Sequence, residues 1–159
     1  MTDEQTTAVA DLHTDWVFGW DVEEDGPPFV FRERAGRFYD WETDDAALYD
    51  DFDPGHRIAR GPAEYGDIWQ PAFRRMRSAR HGVADGPRVV VDGSLAASTL
   101  VFVARLEMLD GTVTGVRTNS SLVWRRRPDG WRIVREHNSS VVLGADEIEP
   151  AMAAARPGR

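Results

Sequence analysis

The chain has 159 residues, a formal net charge of −8, 42% hydrophobic and 29% charged residues, and no cysteine. That length and balance suit one globular domain around a single core, and the negative charge argues against nucleic acid and anionic membrane surfaces as partners. The missing cysteine removes disulfides, thiolate nucleophiles and sulfur-ligated zinc, and an acidic start with no apolar run of the ~20 residues a spanning helix needs points to a cytoplasmic protein.

Residues 5–23 read as a helix, because Val9, Leu12, Trp16 and Trp20 form one apolar stripe. Asp25-Gly26-Pro27-Pro28 ends it, and the aromatic stretch Phe29 to Trp41 reads as a short helical segment opened by Pro28. The acidic run from Asp40 to Asp53 holds Leu48, Tyr49 and Phe52 at a spacing that shares one helix face. Asp53-Pro54-Gly55 turns the chain into a short edge strand, His56 to Gly61. Gly61-Pro62 opens a further helix with Tyr65, Ile68, Trp69, Phe73 and Met76 as its apolar face.

After Gly82 the period drops to two. Arg88 to Val91 is a strand, and so is Leu95 to Leu109, whose even positions Leu100, Phe102, Ala104, Leu106 and Met108 are all apolar. Asp110-Gly111 is a hairpin signal, followed by strands over Thr112–Arg127 and Trp131–Leu143. Helices first and an antiparallel meander after them predict an α+β domain with the helices on one face of the sheet. The domain spans residues 1–143 with an acidic insertion at about 25–45, 144–159 is a C-terminal tail, and its small-residue-rich stretch Ala151 to Arg159 reads as loose.

The meander carries a resemblance. Arg88 to Ala97, Asp110-Gly111, and Leu122 to Ser140 with its closing DGWRIVREHNSS resemble the SnoaL-like branch of the nuclear-transport-factor-2-like superfamily. The closing stretch is also similar to the association domain of calcium/calmodulin-dependent kinases. The resemblance implies a cone-shaped, curved antiparallel sheet with N-terminal helices over its concave face, and a homodimer through the sheet's outer face. It implies no single activity, since relatives include cyclases, isomerases, dehydratases, epoxide hydrolases and non-catalytic assembly domains.

The turn Arg127-Pro128-Asp129-Gly130 sets the register. A three-residue loop pairs Arg127 with Trp131, Trp124 with Val134, Leu122 with Glu136 and Ser120 with Asn138. A slip of one residue would turn His137 inward instead. The first register is favoured because it gathers the less charged faces, and it leaves Trp131 and Ile133 outside, where a dimer partner would cover them.

Three residues are candidates for catalysis. Glu136, desolvated on a pocket wall, is a general acid or base, or else a salt-bridge partner of a neighbouring arginine. His137 is a general base or a structural histidine. Tyr49, on a helix at the pocket mouth, polarises a carbonyl or fills the rim. Asn138, Ser120 and Thr118 are candidate ligand contacts or cross-strand hydrogen bonds, and Leu122, Trp16, Trp69 and Phe102 are candidate walls. Asp50, Asp51, Asp53 and His56 lack metal-ligand spacing and read as a solvated acidic helix end. Two functions remain open: a cofactor-free, metal-free proton-transfer enzyme acting on a small apolar molecule, and a non-catalytic ligand-binding or assembly domain.

Overall fold

The computed structural model describes residues 2–158. Its elements are α1 (Thr2–Gly19), α2 (Phe31–Arg34), a 3-10 turn over Gly36–Phe38, β1 (Ala47–Asp50), α3 (Pro62–Arg74), β2 (Met76–Asp92), β3 (Leu95–Met108), β4 (Val113–Arg127), β5 (Gly130–Leu143) and α4 (Ile148–Ala154). One sheet runs in the order β1-β5-β4-β3-β2. The four long strands are antiparallel neighbours, and β1 adds parallel to β5. The α+β architecture expected from the sequence is the one observed.

The sheet is curved and open. Register shifts in β2 between Met76 and Ser78, between Val83 and Asp85, and between Asp85 and Arg88 insert unpaired residues that bend and twist the strand. Helices α1 and α3 cover the concave face, burying Val9, Trp16, Val17, Tyr65 and Trp69 against Leu100, Leu106 and Leu122. Helix α3 starts where expected: Gly61 is extended, and Pro62 occupies the first turn, where its missing N–H has no intrahelical partner to lose.

Five local expectations are corrected. The acidic run forms β1 rather than a helix, because its alternation places Ala46 and Leu48 inside and lets it close the edge of β5, Leu48 beside Glu136 and Asp50 beside Asn138. Strand β2 begins at Met76, directly after α3, its alternation hidden by bulges and by Arg77 and Arg80 on the exposed side. The stretch His56–Gly61 keeps a single bridge, Ala59 to Leu48. Only one short turn of Phe29–Trp41 is α-helical, followed by the 3-10 turn. The residues after Leu143 form α4, whose Ile148 sits against bare Gly115, and Arg156 bridges to Val83.

The hairpin also differs. Its loop takes two residues, so Arg127 pairs with Gly130 and Trp124 with Ile133; Val134 is then extra, and beyond it the expected pairs Leu122–Glu136 and Ser120–Asn138 hold. The bulge turns Trp131 and Ile133 inward, 3% and 1% exposed, while keeping Glu136 and Asn138 inward too. The expected outer position of Trp131 and Ile133 is therefore wrong. Burying two such side chains is worth roughly 1.5–3 kcal/mol each, which outweighs one lost ladder hydrogen bond of about 1 kcal/mol.

Candidate functional site

The concave face and the helices enclose a cavity of about 60 Å³. Its walls are largely aromatic, and its polar groups are two clusters on opposite sides, around Glu136 and around His81, and a Thr118–Ser140 hydroxyl pair 2.8 Å apart.

The first cluster surrounds Glu136. The Tyr39 hydroxyl donates to Oε1 at 2.5 Å, and the Tyr65 hydroxyl donates to Oε2 at 2.5 Å. Asn138 Nδ2 donates to the same Oε2 at 2.7 Å and to Asp50 Oδ2 at 3.2 Å. Trp16 Nε1 in turn donates to the Tyr39 oxygen at 2.9 Å. Burial pushes the Glu136 carboxyl up to about 8, against the opposing pull of these donors. Burial also lifts Asp50 to about 6, despite the Phe52 backbone N–H on its Oδ1. At neutral pH Glu136 holds a proton and Asp50 is largely ionised. The two tyrosines are raised well above their ordinary value, first by burial and then by the Glu136 charge.

The second cluster is His81 with Asp21. Asp21 follows α1, and the reciprocal bridge of Val22 to Ala79 ties its segment to β2. Asp21 Oδ1 accepts from the His81 backbone N–H at 3.0 Å and from His81 Nδ1 at 2.7 Å. The imidazole is 6% exposed and lines the cavity edge-on to Phe102. With Nδ1 committed to a carboxylate, Nε2 of the neutral ring is left with its lone pair, which is the arrangement a general base requires.

Of the residues singled out from the sequence, Glu136, Asn138, Thr118, Trp16, Trp69 and Phe102 line the cavity. Ser120 and Leu122 lie behind it. Ser120 is held by His13 Nε2 at 3.1 Å, while His13 Nδ1 meets Ser98 at 2.7 Å, and burial drops this imidazole to about 3, so it stays neutral. Tyr49 and His137 are on the opposite side of the sheet, their rings tilted at 44° with centroids 4.9 Å apart, and the Tyr49 hydroxyl is 3.2 Å from His56 Nδ1.

Sequence reasoning missed Asp21, His81 and Tyr39, read Asp50 as part of a solvated acidic helix end where it lies on β1 and lines the cavity, and took Tyr65 only as part of an apolar face. The alternation Ala46-Ala47-Leu48-Tyr49-Asp50 was the available signal for Asp50. Nothing local marked His81, which the bulged start of β2 places. Among the described residues, no group of three or more His, Cys, Asp or Glu side chains is placed to hold a metal ion, and no helix is long and apolar enough to cross a membrane.

An open, strongly bent sheet capped by helices over a small cavity defines the nuclear-transport-factor-2-like class. Within it the chain belongs to the SnoaL-like domain family, whose model matches residues 35–143. No curated protein matches the chain. Among solved structures, a nuclear transport factor 2-like superfamily protein from Salmonella enterica superposes with a TM-score of 0.70 at 16% identity, covering 92% of this chain and 99% of its own. A hexachlorocyclohexane dehydrochlorinase, LinA type 2, gives 0.65 at 14% identity, covering 87% and 88%. The association domain of C. elegans CaMKII gives 0.61 at 12% identity, covering 87% and 97%. At these identities the likeness concerns the fold.

Proposed function

We propose that the protein is an enzyme that moves protons on a small molecule held in the cavity, in an elimination or an isomerisation. The observation that carries this reading is the placement of an Asp-oriented histidine and a fully buried glutamate, whose carboxyl burial pushes up, on the walls of one small cavity. His81 Nε2 takes a proton from a substrate carbon, and Asp21 fixes the ring and stabilises the imidazolium that forms. Glu136 supplies the balancing proton. When its Oε2–H donates to the Tyr65 oxygen, the Tyr65 hydroxyl hydrogen is free to point into the cavity, toward a substrate oxygen or leaving group. Tyr39, anchored by Trp16, holds the other carboxyl oxygen. The roles first given to His137 and Tyr49 thus pass to His81 and Tyr65.

The fold of the dehydrochlorinase neighbour is compatible with elimination chemistry, which its own name describes. The test is turnover, or deuterium incorporation from solvent at carbon, across a panel of small ketones, alcohols and halides. His81→Ala should lower the rate by about 100-fold or more, and Glu136→Gln by a comparable factor. Rates unchanged in both variants would refute the assignment and favour a non-catalytic binding domain.

A homodimer through the outer face of the sheet belongs to the same proposal. Its support is Val141 near the end of β5, which is 61% exposed and shares the outer face with the exposed His137 and Ser139.

A further inference from the structure

Two buried polar atoms have no hydrogen-bond partner among the described residues: Asn138 Oδ1 and Trp20 Nε1. Asn138 is 1% exposed and Trp20 7%, and both side chains line the cavity. Buried polar atoms are seldom left unpaired, so this acceptor and this donor mark what an occupant brings. The Asn138 amide cannot turn to satisfy itself, since its Nδ2 is held between Glu136 and Asp50.

The charge in the cavity is one-sided. Asp50 lines it as a carboxylate, the neighbouring Glu136 carboxyl holds its proton, and Asp21 backs the imidazole on the far wall. Among the described residues no arginine lines it, and the chain has no lysine. Asp50 accepts hydrogen bonds from Asn138 and from the Phe52 backbone, while the negative charges of Asp51 and Asp53 oppose its own. The walls carry the rings of Trp16, Trp20, Tyr65, Trp69, Phe73 and Phe102. An unpaired carboxylate among aromatic rings favours a cation over a neutral guest of the same shape. A neutral hydroxy compound would satisfy the two orphan atoms yet leave the Asp50 charge uncompensated.

We propose that the cavity takes a small organic ammonium compound that also carries an oxygen, with its N–H donated to Asn138 Oδ1 beside Asp50 and its oxygen accepting from Trp20 Nε1. This names the substrate class of the proton-transfer site and rests on that reading of the cavity. The cavity volume limits the guest to a few heavy atoms unless the walls yield.

The experiment compares two isosteric probes by calorimetric titration at neutral pH: protonated N,N-dimethylethanolamine and neutral 3-methylbutan-1-ol. The ammonium probe should bind the wild-type protein at least about tenfold more tightly than the alcohol. In Asp50→Asn that ratio should fall to about one, whereas Trp20→Phe, which deletes the hydrogen-bond donor, should weaken both probes by several-fold and leave the ratio intact. An alcohol that binds as well as the ammonium, binding of neither probe, or a ratio that survives Asp50→Asn would overturn the inference. The wild-type ratio stands even if a variant fails to fold. His81-dependent exchange without an ammonium preference would sink this inference alone. An ammonium preference without His81-dependent exchange would sink the catalytic reading instead.

Discussion

At the scale of single residues, Glu136 shows how burial sets chemistry. Three donors reach its carboxylate, which in water would keep it ionised, yet complete enclosure lifts it to about 8. The consequence for stability has a definite sign. Between the ordinary 4.5 and about 8, the unfolded chain loses this proton while the folded chain keeps it, so stability falls as pH rises through that window. Thermal unfolding from pH 6.5 to 9, above the range in which the buried, neutral His13 makes stability rise with pH, should show a wild-type midpoint that falls up to about pH 8. Glu136→Gln should hold a nearly level midpoint over that range, because the contribution of Asp50 is confined to pH values below about 6. Parallel curves for the two proteins would refute the assignment. Glu136 itself was legible in the sequence, since an acid in the less charged face of a late strand stands out. Its partners Tyr39 and Asp50 were not, because they reach it from segments 97 residues away for Tyr39 and, through Asn138, 88 residues away for Asp50.

At the scale of elements, the bulge at Val134 reconciles two apolar patterns that one uniform register cannot. From Trp131 to Ile133 the odd positions are inside, and from Glu136 to Asn138 the even ones are. The sequence reading chose the second pattern and assigned the first to a dimer interface; the extra residue lets β5 satisfy both. Deleting Val134 should force one set outward and cost about 3 kcal/mol or more, read from the urea unfolding midpoint. An unchanged midpoint would show that the bulge is dispensable. Strand β1 makes a related point. Leu48, Tyr49 and Phe52 fit a helix face, but four residues carry little helical preference of their own, and pairing with the open edge of β5 decides the matter. That choice sends Asp50 into the cavity and Tyr49 out of it.

At the scale of the whole molecule, the inward turn of Trp131 and Ile133 removes the first reason for expecting a dimer and leaves the outer face of β5 around Val141 as the surface to test. Gel filtration at micromolar concentration should give twice the chain mass for the wild type and a monomer for Val141→Arg; a wild-type monomer would refute the dimer. The alternation of Leu95 to Leu109, the Asp110-Gly111 turn and the Gly61-Pro62 helix start were decisive by themselves, because each reflects forces within a few neighbouring residues. The sequence alone therefore determined the α+β layering, the SnoaL-like family and the inward face around Leu122 and Glu136. Only the tertiary structure decided the course of β1, the start of β2 and the union of Asp21 with His81. Those rest on edge pairing, bulges and burial between segments distant in the chain, and no local pattern encodes energies that arise only once the segments meet.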